Sequence, residues 1–191
     1  LENKQLIIAM FITTLFIQSA LMSIAPIVSL LVKSLMHGTG NVSFVSGVVA
    51  AMPGFGTLLV ASRLGVKMDK IGPLKVLVFG LVAAMVVFLP MYFVTSPWSL
   101  GFWRFLLGIA NAALLPAVQT VLTVSVPREA FGRIFSYNQS FQAAGAMLGS
   151  MMGSLISGLF NYQAVFLVTA ALMALNLLLI WKVHRPLENE K

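Results

Sequence analysis

The sequence predicts an all-α, polytopic membrane protein with six transmembrane helices, and three observations carry that reading. Apolar residues make up 59% of the chain and charged residues 9%, with a mean hydropathy of +0.97. A soluble domain carries about 25% charged residues, so a chain this apolar needs lipid as its solvent. The apolar residues also fall into six runs, and a run of about 20 residues is what crosses a bilayer as a helix. Finally, the basic residues collect at alternate ends of those runs.

The runs cover residues 5–32, 42–64, 74–94, 98–124, 132–159 and 164–182. The segments between them, HGTGN, DKIGP, TSP, VPREAFG and FNYQ, are short and hold turn-forming residues. Residues 1–191 therefore read as a single bundle. The first run is too long for the apolar core of a secretion signal, so no signal peptide is expected. The absence of cysteine excludes disulfides and thiolate metal sites, and His37 and His184 form no ligand cluster. No nucleophile–base set, metal cluster or phosphate loop is present, so neither an enzyme nor a bound cofactor is expected.

Ten of the twelve basic residues fall on one side of the six runs: Lys4, Arg63, Lys67, Lys70, Lys75, Arg128, Arg133, Lys182, Arg185 and Lys191. Lys33 falls on the other side and Arg104 lies within the fourth run. This asymmetry places both termini in the cytoplasm. It also accounts for the net charge of +7 as a topological signal that meets anionic lipid, with no nucleic-acid partner. Tyr92, Trp98, Trp103 and Tyr162 near the outer ends, and Trp181 near the inner end, fit interfacial aromatic belts. The acids Glu2, Asp69, Glu129, Glu188 and Glu190 all lie outside the spans. This chain thus has no membrane-embedded carboxylate to carry a proton.

Taken in order, the first run carries Gln18 and Met22 before Pro26. The second presents a face of small residues, Ser43, Gly47, Ala50, Gly54 and Ala61, with Pro53 expected to kink it. In the loop that follows, GVKMDKIGPLK, Gly65, Asp69, Lys70, Gly72 and Lys75 have the spacing of a tight turn held at an anionic surface. Asp69 there would cap the next helix or pair with a neighbouring cation. The third run has no amide or charge beyond Lys75, and the sixth has only Asn176, so both are expected to face lipid. In the fourth run Arg104, Gly108, Asn111 and Leu115 share a helical face, with Gln119 further along. Arg104 would either pair across the bundle or snorkel to the interface. The fifth run begins with Tyr137, Asn138, Gln139, Phe141 and Gln142 and continues with Gly145, Gly149 and Gly153 at four-residue intervals. These glycines, like Gly47 and Gly54, suit close helix packing. The amides either bind one another between helices or line a water-filled path.

Several of these segments resemble the major facilitator superfamily. Gly65, Asp69, Lys70 and Gly72 match its loop signature G-x-L-A-D-[RK]-x-G-R-[RK]. Pro73 and Leu74 depart from the paired basics, and Lys75 comes one place late, as in the weaker copy of the second half of these carriers. Leu100, Arg104 and Gly108 are similar to the fourth-helix motif, with Leu107 where glutamine is usual. GAMLGSMMGS resembles the antiporter motif, with Ser150 for its proline and Ser154 for its last glycine. RFLLGIANAALLPAVQT, GRIFSYNQSF and AVFLVTAAL are similar to bacterial multidrug-efflux members. The resemblance covers almost the whole chain and matches the C-terminal six-helix half of a twelve-helix carrier.

It implies export of amphipathic small molecules across the bacterial inner membrane by alternating access, driven by a proton gradient, with an N-terminal six-helix half as partner. It also implies two three-helix units, residues 1–94 and 98–182, with Pro26 and Pro116 in corresponding places. The first, second, fourth and fifth spans would line the path through Gln18, Met22, Asn111, Gln119, Tyr137, Asn138, Phe141 and Gln142. The loop around Asp69 would act as a conformational latch. The alternatives are a self-contained six-helix carrier working as a homodimer, and a non-transporting scaffold or isolated folding domain.

Overall fold

The computed structural model describes residues 4–37 and 39–188. Glu2, Glu190 and Lys191 lie outside the described residues, as do the side chains of His184, Arg185 and Glu188. The regular structure of the described residues is all helical: α1 (Lys4–Ile24), α2 (Val28–Leu35), α3 (Val42–Ile71), α4 (Pro73–Met91), α5 (Pro97–Asn111), α6 (Leu114–Ser125), a 3₁₀ turn (Arg128–Ala130), α7 (Phe131–Leu159) and α8 (Ala164–Glu188). These form six columns. Five are long and apolar enough to cross a membrane by length and composition: Lys4–Leu35, Val42–Ile71, Pro73–Met91, Pro97–Ser125 and Ala164–Val183. The sixth, α7, has 29 residues and is long enough, but its amides, serines and glycines lower its hydropathy.

Two columns are broken. The first span divides into α1 and α2 around Pro26, and the fourth into α5 and α6 just before Pro116. A proline has no N–H for the carbonyl four residues back and its ring crowds that carbonyl, here Met22 and Ala112, so the helix restarts. Continuous helices were expected at both places.

The loop after the second span also differs from expectation. Residues 66–71 contain neither glycine nor proline, and α3 runs through Gly65 and on to Ile71. Gly65, Asp69 and Lys70 are therefore helical. Gly72, at φ +91°, makes the turn alone, and Pro73 opens α4 directly after it. Asp69 lies in the last turn of α3 and does not cap α4, whose N-cap is Gly72. Asn41 Oδ1 accepts from the Phe44 amide at 3.2 Å to cap α3, and Asn161 Oδ1 accepts from the Ala164 amide at 2.7 Å to cap α8.

Three helix pairings organise the bundle: α1 with α7, α3 with α5, and α4 with α8. α1 also touches α6 and α8, and α4 also touches α5 and α6. The core lies among these helices, where Met10, Ile17, Leu77, Leu81, Phe88, Leu100, Leu122, Phe166 and Met173 are all but fully buried. The third and sixth spans, expected to face lipid, have two different sides. Each faces outward on one side only, through Phe79, Val82 and Val86 of α4 and Leu167, Leu175 and Leu178 of α8, and buries the other side in the core.

The first two pairings depend on missing side chains. α1 and α7 run parallel, and a Cβ placed on Gly145, Gly149 or Gly153 would collide with the backbone of Leu15, Ser19 or Ser23 in turn. In the α3–α5 pair, a Cβ on Gly56 would strike the Phe105 carbonyl and one on Gly108 the backbone of Pro53. Gly47 and Gly54 are different. Both are exposed, and a Cβ on either meets nothing within 4 Å, so neither is needed for a close contact among the described residues.

Gly149→Ala should lower the thermal midpoint of the detergent-solubilised protein by the equivalent of about 1–3 kcal/mol, the usual range for overpacking. Gly158→Ala, where nothing lies within 4 Å, should be neutral or gain up to about 1 kcal/mol from helix propensity. Equal effects at the two sites would remove the contact argument.

Candidate functional site

The polar residues of α1 and α7 are best read from α1 outward. Thr13 and Thr14 are fully buried and point to different partners. Thr14 Oγ1 donates to Asn138 Oδ1 on α7 at 2.7 Å, and Thr13 Oγ1 donates to Asn176 Oδ1 on α8 at 2.9 Å. One turn or more further on, Ser19 Oγ donates to the Gly145 carbonyl at 3.0 Å, and Ser23 Oγ lies 3.1 Å from Thr169 Oγ1 of α8. α1 is thus stitched to α7 along one edge and to α8 along another. An unpaired amide or hydroxyl in an apolar environment costs a few kcal/mol, and these partners remove most of that cost, although Asn176 Nδ2 is buried without a hydrogen-bond partner among the described residues.

Asn138, expected to line a path, is turned toward α1 in this structure. It is 4% exposed and serves as the α7 half of an interhelical hydrogen bond. Thr14 on α1 supplies Oδ1 with the partner that water was expected to provide. Neither Thr13 nor Thr14 was singled out in the sequence, since single threonines are common in apolar runs.

The other expected path residues lie at a range of depths. Gln18, Met22, Asn111, Phe141 and Gln142 are half-buried, and Gln119 and Tyr137 are exposed. Asn111 Oδ1 is buried without a hydrogen-bond partner among the described residues. Phe141 stacks on Phe11 of α1 with ring centroids 5.2 Å apart, and Tyr137 meets the same ring edge-on at 6.5 Å. The Phe11–Tyr137–Phe141 cluster joins α1 to α7 at the level of Asn138. Phe11 could have been found only by its place one turn before Thr14.

Arg104 bonds across the bundle and does not snorkel, and it meets no carboxylate among the described residues. It is buried in α5, and its Nε donates to the Val49 carbonyl of α3 at 3.0 Å. That carbonyl is free because Pro53, four residues on, has no N–H to give it. The proline in one helix creates the acceptor that the arginine of the other fills. One further turn along, Thr57 Oγ1 donates to the Gly108 carbonyl at 3.0 Å, at the point where Gly108 meets Pro53. Arg104, Gly108, Pro53 and Thr57 form one interlocked contact, and α3 stays unbroken through its proline. The residues of the expected loop motif, Gly65, Asp69, Lys70 and Lys75, are exposed at one end of the bundle, with Gly72 half-buried among them.

Arg104→Leu would leave the Val49 carbonyl buried without a donor, and unfolding experiments should show a loss of about 1–3 kcal/mol. In a Pro53→Ala background the new backbone N–H at that position can take the carbonyl, and the same Arg104→Leu substitution should cost clearly less. An equal cost in both backgrounds would show that the arginine does not compensate for the proline.

Comparison with known proteins extends this reading along the chain. The family model described as Major Facilitator Superfamily matches residues 7–191. Multidrug resistance protein MdtG of Escherichia fergusonii is 48% identical over 185 residues, covering 97% of this chain and 45% of that protein. The protein of the same name from Citrobacter koseri is 47% identical over 185 residues, covering 97% and 46%. That of Dickeya zeae is 47% identical over 191 residues, covering 100% and 47%. The chain thus spans about half the length of the curated relatives it matches. The match over residues 7–191, together with apolar helices of membrane-crossing length, shows that this chain is a multi-pass membrane protein belonging to the major facilitator superfamily.

Proposed function

We propose that the chain is the C-terminal six-helix half of a proton-driven multidrug exporter of the bacterial inner membrane, working by alternating access. The observation that carries this reading is the similarity, over the whole chain, to relatives named multidrug resistance proteins. The spans hold no carboxylate, so the groups that bind and release the coupling proton would lie in the other half. Both termini and the segment around Asp69 would be cytoplasmic, as the distribution of basic residues favours.

α3 supports a missing partner. Its apolar window is only 22% buried, against 56% for the column Pro97–Ser125. Its exposed side carries Ser43, Gly47, Ala50, Gly54 and Ala61. Small residues bring no advantage against lipid tails, whereas they let a second helix approach closely. Gly47 and Gly54 would find their contact in the partner half.

The path would run past Gln18, Met22, Asn111, Gln119, Tyr137, Phe141 and Gln142, without Asn138. Partly exposed amides beside methionine and aromatic rings suit varied amphipathic substrates, because such surfaces repack. The α1–α7 seam, closed by backbone contact, would move as one body. The breaks at Pro26 and Pro116, in corresponding columns of the two proposed three-helix units, would let the ends of those columns tilt. Asp69 and Lys70 would hold one conformational state through contacts to the partner half.

Three measurements test this. Cells expressing the chain together with the N-terminal half should extrude an amphipathic dye, and cells expressing the chain alone should not. Efflux by the chain alone would favour the homodimer. In the complete carrier, Gln142→Ala should shift the relative resistance to different drugs at unchanged protein level. A uniform change for all drugs would take Gln142 off the path. Cysteine at Asn161 should react with an impermeant thiol reagent from outside, and cysteine at Lys70 should not. The reverse pattern would invert the orientation.

A further inference from the structure

α4 is flanked by two apolar grooves that share a single ridge, Phe79, whose side chain is 75% exposed. The groove between α4 and α8 has a volume of about 730 Å³ and is walled by apolar side chains such as Leu74, Val78, Val82 and Leu178, with Trp181. Its one charged lining residue is Lys75. The groove on the other side, between α4, α3 and α5, has a volume of about 400 Å³ and is walled by Val76, Ala83, Val87 and Ile109. Its charged lining residues are Arg63 and Lys67. Among the described residues, no carboxylate lines either groove.

All three cations belong to the end of the bundle where α3 passes into α4, with Lys70 and Asp69 between them in the sequence. At about 1.5 Å per residue, α4 rises about 12 Å from Leu74 to Val82 and about 16 Å from Val76 to Val87. One leaflet contributes about half of the ~30 Å hydrocarbon core. Each groove is therefore an apolar slot of about one leaflet's depth with a cation at its mouth. A neutral lipid would fill the slots and leave the cations to water. A soluble phosphate would meet the cations and leave the slots empty. A cationic amphiphile would be repelled at both mouths.

We propose that a diacyl anionic phospholipid sits astride α4, with its phosphate at Lys75, Lys67 and Arg63 and one acyl chain in each groove on either side of Phe79. This holds whichever membrane face that end occupies, and none of these residues belongs to the proposed transport path. The site would anchor α4 against the bilayer.

The test uses the complete carrier with Trp181 as its sole tryptophan, reconstituted in phosphatidylcholine vesicles. Quenching of Trp181 by brominated phosphatidylglycerol is compared with quenching by brominated phosphatidylcholine. The anionic lipid should bind at least about fivefold more tightly, the factor that one basic residue near an anionic surface contributes. Lys75→Gln should lower that preference several-fold. Val82→Phe, at an exposed position that narrows the slot, should abolish most of it with Lys75 intact. Glycerol phosphate in the buffer should not relieve the quenching. Equal binding of the two lipids, or a preference unchanged in Lys75→Gln, would overturn the proposal. Full preference in Val82→Phe would reduce the site to surface attraction, and relief by glycerol phosphate would make it a soluble-anion site. Either result also overturns it.

Discussion

The close approach of α1 and α7 is the contact on which the rest of the bundle depends. Lipid tails are as apolar as leucine, so the hydrophobic effect does little to hold two helices together inside a membrane. What remains is close packing and hydrogen bonding. Gly145, Gly149 and Gly153 supply the first by letting the α1 backbone lie where side chains would otherwise stand. That approach brings Ser19 within reach of the Gly145 carbonyl and Thr14 within reach of Asn138. With α7 fixed on one edge of α1, the opposite polar residues, Thr13 and Ser23, are presented to Asn176 and Thr169 of α8. α8 in turn packs on α4.

The α3–α5 pair uses the same device with a different supplement. Gly56 and Gly108 allow contact, and Pro53, packed against Gly108, leaves a carbonyl that a guanidinium takes. A proline inside a membrane helix is tolerated when a neighbour satisfies the backbone group it frees. At Pro26 and Pro116 no such interlock is formed among the described residues, and the helices break. Three prolines of similar appearance in the sequence thus have two outcomes, decided by whether a donor stands opposite.

Much of this was legible in advance. The six columns follow from apolar run length, and the α7 glycines from their four-residue spacing on one face. The family follows from the motifs around Asp69, Arg104 and Gly149. Other features were hidden for physical reasons. A glycine stripe looks the same whether it is covered from within the chain or faces outward, so Gly47 and Gly54 could not be told from Gly56 and Gly108. The partner of Asn138 is a threonine 124 residues away, and single threonines are common in apolar runs. The acceptor of Arg104 exists only because of a proline in another helix. The helical state of residues 66–71 was obscured because the two flanking glycines, Gly65 and Gly72, suggested a loop, although only Gly72 has the backbone angle that needs one.

The central claim is that the amide of Asn138 holds α7 to α1 and is not offered to substrate. A double-mutant cycle on Thr14→Val and Asn138→Leu, read as unfolding free energy in a membrane-like environment, tests it directly. Hydrogen bonds between transmembrane helices show coupling energies of about 0.6 kcal/mol on average and up to about 1.7 kcal/mol. A coupling in that range, with the double variant more stable than the two single losses together imply, is the expected result. Strictly additive losses would contradict the account and return Asn138 to the residues that line the path.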